Sequence, residues 1–291
     1  MDRREQVALP TRRRAAVLGH PVSHSLSPVL HSAAYAALGL DWTYEAIDVD
    51  AAGLQEFLAG RDDSWAGLSL TMPLKFEAAR LADFVEPQAK LVGTVNTLVS
   101  SGLGQYRQWV GANTDIHGVV AVFAEARVAS VSRAVVIGAG ATATSALAAL
   151  GSMRAGNPSV LVRDRARAGS LMRAASKMGV QPRFVDLASA EALEALATAD
   201  VVVSTIPADA GGELAERLQR GGVGTSGHLL DVVYAPLVTP LAQGWSRGGG
   251  TAISGVRMLL HQAGEQVRLM TGLTAPFGAM EAALNRVLTT S

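Results

Sequence analysis

The apolar positions of this chain repeat in two registers. Ala15 to Leu18 is a short continuous run of strand type. After it, Val29, Leu30, Ala33, Ala34, Ala37 and Leu38 recur at steps of three and four, which predicts a helix. Ser27-Pro28 opens that stripe, with Ser expected at the N-cap and Pro in the first turn. Further strands are predicted at Thr43 to Asp48, Leu68 to Thr71 and Val95 to Val99. From Arg133 onward the strands are continuously apolar: Ala134 to Ile137, Ser159 to Val162, Val201 to Thr205 and Leu229 to Val233, with helical patterns between them. A strand apolar on both faces needs cover on both, so this half predicts a parallel sheet between helices. Two more helical patterns follow Gly255. The expected architecture is α/β in two domains, residues 12–115 and 116–254, with residues 255–291 returning as helices to the first.

Composition narrows the class. Of 291 residues, 49% are hydrophobic and 17% charged, ample material for a buried core. The formal net charge is zero, which gives no electrostatic footprint for nucleic acid or an anionic membrane. The absence of cysteine excludes disulfides, thiolate metal sites and cysteine nucleophiles. The six histidines show no ligand spacing such as HExxH, so no metal is expected. No apolar run approaches the roughly 20 residues of a membrane helix. The opening MDRREQVALPTRRR is charged, lacks the apolar stretch of a signal peptide and reads as a short tail. A soluble cytoplasmic protein with a small-molecule substrate is expected, and a homodimer is left open. Only three lysines occur, Lys75, Lys90 and Lys177. In a chain that otherwise uses arginine for positive charge, Lys75 beside Pro73 raises the question of whether a deprotonatable amine is required.

Strand, Gly138-x-Gly140-x-x-Ala143, helix is the pattern of a dinucleotide-binding turn, with Ala accepted at the third position. The glycines allow a tight turn and a close backbone approach to a pyrophosphate seated on the positive end of a helix. Gly138, Ala139, Gly140, Ala141, Thr142 and Ala143 are therefore the candidate phosphate loop of a Rossmann-type, doubly wound domain. An ordinary βα turn is the alternative. The second strand of that half runs out into Arg163-Asp164-Arg165-Ala166-Arg167. An acidic residue here grips the ribose 2′-hydroxyl of NAD, whereas arginine accommodates the 2′-phosphate of NADP. Three arginines around one aspartate make the local field positive, and guanidinium can hold a phosphate bidentately. NADP is the expected cofactor and NAD the alternative.

Four further segments end apparent strands in small polar groups, where α/β folds place their ligands. They are Gly19-His20-Pro21-Val22-Ser23-His24-Ser25-Leu26-Ser27-Pro28, Gly67-Leu68-Ser69-Leu70-Thr71-Met72-Pro73-Leu74-Lys75, Gly93-Thr94-Val95-Asn96-Thr97-Leu98 and Gly111-Ala112-Asn113-Thr114-Asp115-Ile116-His117-Gly118. Together with the Gly138 loop, Asp231-Val232-Val233-Tyr234-x-Pro236 and Gly255-x-x-Met258-Leu259-Leu260-x-Gln262-Ala263, their order resembles the shikimate dehydrogenase family from about Val17 to the C-terminus. The resemblance implies an oxidoreductase that reduces 3-dehydroshikimate to shikimate with NADPH, on the path to aromatic amino acids. It implies Lys75 and Asp115 as the catalytic pair. Oxidising an alcohol by hydride transfer requires loss of the hydroxyl proton, and a lysine can take it when partial burial lowers its proton affinity. A structural ion pair is the plain alternative for the two. By the same resemblance Ser25 and Ser27 hold the substrate carboxylate, and Thr71, Asn96 and Gln262 contact substrate hydroxyls or carboxylate beside Tyr234. Thr205 and Gly255 fall on the cofactor side. His24 and His31 read as structural.

Three departures stand out. The family's usual NVT before the lysine is Ser69-Leu70-Thr71, which exchanges an amide for a hydroxyl. Its common GAGGA loop continues here as Gly140-Ala141-Thr142-Ala143, and its NRT-like clamp becomes Arg163-Asp164-Arg165. The last two bear on cofactor choice. An NAD-dependent quinate/shikimate dehydrogenase follows if Asp164 rather than the arginines faces the ribose, and an amino analogue of the substrate stays open. Serine at both positions of Ser25-Leu26-Ser27 favours shikimate. A non-catalytic sensing paralogue would be expected to lack Lys75 or Asp115, and both are present.

Overall fold

The computed structural model describes residues 12–128 and 130–290. Contacts gather them into two compact units. The first holds the chain up to Glu86, Val95–Ala112 and the chain from Ala263; the second holds Pro87–Thr94 and Asn113–Gln262. This grouping and the linear division expected from sequence part company at residues 87–94, 113–115 and 255–262.

The first unit contains a six-stranded mixed sheet ordered β2-β1-β3-β5-β6-β4. Its strands are β1 (Arg13–Gly19), β2 (Trp42–Asp48), β3 (Trp65–Leu70), β4 (Phe84–Val85), β5 (Thr97–Ser101) and β6 (Gln108–Ala112). β1 pairs in parallel with β2 and β3, whereas β5 runs antiparallel to β3 and β6. The antiparallel step brings the start of β5 to the sheet edge where β1 and β3 end. Helices α1 (Ser27–Ala37), α2 (Leu54–Ala59) and α3 (Lys75–Leu81) follow their strands, and the C-terminal α12 (Phe277–Thr290) packs on α1.

Several expectations change here. The predicted N-terminal tail ends early. Residues 1–11 of it lie outside the described residues, but Arg13 and Arg14 already belong to β1. Their guanidinium groups stack over Trp42 and Trp65, at 5.4 and 4.6 Å from the ring centroids, so charged residues enter a strand by covering indole faces. Ser27 does not cap α1. It is the first helical residue, Leu26 precedes it without a side-chain cap, and the Ser27 N–H is taken instead by Ser25 Oγ at 3.2 Å. The buried face of α1 is Ser27, Leu30, His31, Ala34 and Tyr35, with Ala37 exposed. The helix thus turns a partly polar face inward, rotated from the aliphatic stripe, because its neighbours there are tyrosine and glutamine side chains. Val95 and Asn96 precede β5 rather than belonging to it.

The second unit contains a wholly parallel sheet ordered β12-β11-β10-β7-β8-β9. Here β7 is Ala134–Ile137, β8 Ser159–Val162, β9 Arg183–Asp186, β10 Val201–Ser204, β11 His228–Asp231 and β12 Thr251–Ser254. Successive residues feed two separate cores. Ala134, Val136, Val201 and Val203 face one, Val135, Ile137 and Val202 the other. That double burial is why these strands lack polar alternation. Helices α4 (Pro87–Val92), α5 (Thr114–Glu125), α6 (Ala141–Ser152), α7 (Gly169–Met178), α8 (Ala190–Thr198), α9 (Ala208–Arg220) and α10 (Pro240–Arg247) complete the unit. The seventeen-residue α11 (Gly255–Thr271) is shared, its start counted with the second unit and its end with the first. Among the described residues no helix is long and apolar enough to cross a membrane.

Candidate functional site

In the first unit the candidate residues collect at one sheet edge. The Thr71 N–H donates to Leu18 O (2.9 Å) and the His20 N–H to Met72 O (3.0 Å), which ties together the ends of β1 and β3. Asn96 completes the edge: its carbonyl accepts from Leu70 N–H at 2.7 Å and its N–H donates to Ala112 O at 3.1 Å. Lys75, half-buried, is the first residue of α3, and its carbonyl accepts from Val95 N–H at 2.9 Å. Ser25 and Ser27 lie where the chain leaves β1 for α1, with Ser27 buried and hydrogen-bonded to the Tyr44 hydroxyl. Ser25, Ser27, Thr71, Lys75 and Asn96 are therefore brought together, though 71 sequence positions separate the first from the last.

Behind them lies a buried polar cluster that motif reading did not find. Gln266 Oε1 accepts from Ser69 Oγ (2.8 Å) and faces His31 Nε2 at 3.2 Å. Its Nε2 donates to Thr97 Oγ1 (2.9 Å) and Asn96 O (3.2 Å). Tyr44 donates to Ser69 Oγ at 2.6 Å and stacks on His31, ring centroids 4.0 Å apart. Burial pushes the Tyr44 phenol up and the His31 imidazole down to about 3, so both are neutral at working pH. The available signal was position alone: Gln266 follows Gln262 by one helical turn. His24, by contrast, is exposed.

In the second unit Asp115 is the second residue of α5 and buried. Asn113 caps that helix, accepting from Ile116 N–H at 3.4 Å, while its amide donates to Thr94 O, Thr94 Oγ1 and Ser145 Oγ at 2.9–3.0 Å. Thr114 Oγ1 donates to Gln262 Oε1 at 3.2 Å. A Cβ on Gly118 would meet Met258 O at 3.0 Å and Gln262 Cβ at 3.1 Å. Glycine there lets α5 and α11 approach closely, which sets Gln262 beside the start of α5.

The nucleotide loop sits between β7 and β10, where the strand order reverses and doubly wound sheets take their ligands. Gly138 has φ +111°, a conformation that L side chains rarely adopt, and a Cβ there would strike the Thr205 hydroxyl. Thr205 itself donates to Ile137 O at 2.9 Å, holding the ends of β7 and β10 together. Gly140 is the N-cap of the twelve-residue α6, and Ala141, Thr142 and Ala143 form its first turn. Arg163, Asp164, Arg165 and Arg167 are exposed after β8. Asp164 accepts from the Ala166 N–H at 2.9 Å, so its carboxylate serves the loop's own backbone, and Arg165 lies over Phe184 at 5.3 Å. Tyr234 is half-buried beyond β11, and Gly255 opens α11 against the Val232 carbonyl. Beside them burial pushes the Asp231 carboxyl up, opposed by hydrogen bonds from Thr239 (2.6 Å) and the Val233 N–H (3.4 Å). This donor set fits a dinucleotide carrying an extra phosphate: backbone amides at a helix start for the diphosphate, guanidinium groups for the third charge.

Fold and site define an α/β oxidoreductase of the dinucleotide-binding class. Comparison with known proteins narrows this. The model of the shikimate dehydrogenase substrate binding domain matches residues 17–98, and that of the shikimate 5'-dehydrogenase C-terminal domain matches residues 255–284. Shikimate dehydrogenase (NADP(+)) of Methanosarcina mazei is 36% identical over 275 residues, covering 91% of this chain and 95% of that protein. The crystal structure of Mycobacterium tuberculosis shikimate dehydrogenase matches with a TM-score of 0.84 at 41% identity, over 94% of this chain and 99% of that one. Shikimate 5-dehydrogenase from Thermus thermophilus, solved in complex with NADP(H) and shikimate, matches with a TM-score of 0.77 at 31% identity, over 95% and 100%. The chain belongs to the shikimate dehydrogenase family.

Proposed function

We propose that this chain catalyses the reversible reduction of 3-dehydroshikimate to shikimate with NADPH. One observation carries the reading: Ser25, Ser27, Thr71, Lys75 and Asn96, drawn from three segments of the chain, share one sheet edge. Family membership and the glycine loop at the switch point of the second sheet support it. In the oxidative direction Lys75 accepts the substrate hydroxyl proton as the C–H bond on the same carbon breaks, and in reduction it returns that proton. The Gly138 loop would hold NADP+, which would supply the acceptor for the hydride released from that carbon. Asp115 is the second member of the catalytic pair. Ser25 and Ser27 hold the substrate carboxylate at the start of α1, where the helix dipole favours an anion. Thr71, Asn96 and Gln262 bind its polar groups beside Tyr234. Gly138 to Ala143 receive the diphosphate, with Thr205 and Gly255 shaping the backbone around it, and Arg163 and Arg165 receive the 2′-phosphate.

The deciding experiment is a steady-state comparison of shikimate and quinate, each with NADP+ and NAD+. Shikimate with NADP+ should give the highest kcat/KM. A preference for quinate or NAD+, or no turnover at all, overturns the assignment. A cytoplasmic setting fits this chemistry, and sedimentation of the purified chain decides between monomer and homodimer.

A further inference from the structure

A carboxamide can present its oxygen or its NH2 to a ligand, and the surrounding hydrogen bonds decide which. For Asn96 the decision is made from behind. Its backbone carbonyl can only accept, and it lies 3.2 Å from the Gln266 amide, so the Gln266 atom facing it is Nε2. The same NH2 reaches Thr97 Oγ1 at 2.9 Å. Thr97 Oγ1 therefore accepts from Gln266, and its single proton is directed at Asn96 Oδ1, 2.8 Å away. That bond assigns Oδ1 to the interior and Nδ2 to the donor side of Asn96.

Gln266 cannot readily turn over to reverse this. Its oxygen is held by Ser69 Oγ and His31 Nε2, so both halves of the amide are engaged on opposite sides. Thr97 and His31 are 0% exposed and Gln266 1%, which leaves no water to compensate a reversed amide. We infer that Thr97 is a positioning residue that presents the Asn96 NH2 to a substrate hydroxyl. The inference rests on the shikimate dehydrogenase reading of the site. A substrate oxygen at Asn96 is thereby met as a hydrogen-bond acceptor.

The test compares Thr97→Val, which keeps the shape and loses the hydroxyl, with Thr97→Ser, which keeps the hydroxyl and loses the methyl. Thr97→Val should raise the KM for shikimate about tenfold, the worth of one hydrogen bond, with the Kd of NADP+ unchanged within about twofold. Thr97→Ser should stay within about twofold of wild type in KM, even though loss of a buried methyl lowers its melting temperature. A merely structural role predicts that KM follows the melting temperature in both. Should Thr97→Val fail to fold, Thr97→Ala makes the same test, because it also removes the hydroxyl that holds Asn96 Oδ1 and should raise KM alike. Wild type that does not turn over shikimate overturns the proposed function and this inference with it. Wild-type turnover with equal KM in Thr97→Val and Thr97→Ser, or with an unchanged KM in folded Thr97→Ala, overturns the role of Thr97 alone.

Discussion

Lowering the pH from 7 to 5 is a direct perturbation of the polar cluster in the first unit, through His31. The imidazole is fully buried, stacked on Tyr44 at 4.0 Å, and placed with Nε2 toward Gln266 Oε1 and Nδ1 toward the Tyr35 hydroxyl. A second ring proton would have to point at that hydroxyl and add an unpaired buried charge. The unfolded chain takes the proton with a pKa of 6.5, and the folded chain only at about 3. The folded state thus binds fewer protons below pH 6.5. Stability is intact above that value and falls as the pH falls, until the folded pKa is reached. At 1.36 kcal/mol per pH unit, the loss at pH 5 is about 2 kcal/mol, a figure unchanged for any folded pKa well below 5. Hydrogen-bonded carboxylates such as Asp200 and Glu125 lose stability only further down. Exposed His20, whose pKa is raised by its hydrogen bond to Asp48 at 2.6 Å, acts with the opposite sign. Both terms cancel when wild type is compared with His31→Gln, which offers an amide to the same neighbours and does not titrate. Urea unfolding at pH 7 and pH 5, followed by tryptophan fluorescence, reads mainly the first unit, which holds Trp42, Trp65 and Trp109. Wild type should lose about 2 kcal/mol more than His31→Gln over this interval. Parallel pH dependences in the two proteins would falsify the account.

The remaining predictions concern chemistry, cofactor and loop. Lys75→Arg keeps the charge but cannot release a proton, so kcat should fall at least ~100-fold with NADP+ binding retained; single-turnover hydride transfer within about threefold of wild type counts against Lys75 as the proton-transfer group. Arg165→Ala should weaken NADP+ far more than NAD+, by about 1.5 to 3 kcal/mol for one lost charge-assisted contact, and equal losses in a fluorescence titration remove Arg165 from that role. Gly138→Ala forces a Cβ onto φ +111° and into the Thr205 hydroxyl; it should cost roughly 1 to 3 kcal/mol of stability and weaken both cofactors, and a calorimetric melt unchanged from wild type contradicts this.

What could be read in the chain beforehand followed from how locally each feature is encoded. β8 spans Ser159–Val162 in the structure, as its apolar run predicts, because burial on both faces leaves no ambiguity of period. The first sheet was harder. β3 extends from Trp65 to Leu70, but Gly67 and Ser69 interrupt its apolar pattern, and all six of its residues are buried all the same. The charged Arg13 and Arg14 concealed the start of β1. The short β4, β9 and β12 went unpredicted. At the candidate site the same distinction holds. Residues that lie close in sequence, such as Gly138 to Ala143 or Ser25 to Ser27, form motifs. Ser69 and Gln266 touch across 197 positions and form none. Their pairing depends on the antiparallel turn of β5 and on the return of α11, neither of which has a local signature. The exchange of an amide for a hydroxyl at Ser69 was visible as a departure, while its meaning lay in Tyr44, His31 and Gln266. A motif therefore marks the groups expected to face a ligand, and it is silent about the groups that aim them. Those have to be found by asking, of each buried polar atom, where its hydrogen bond goes.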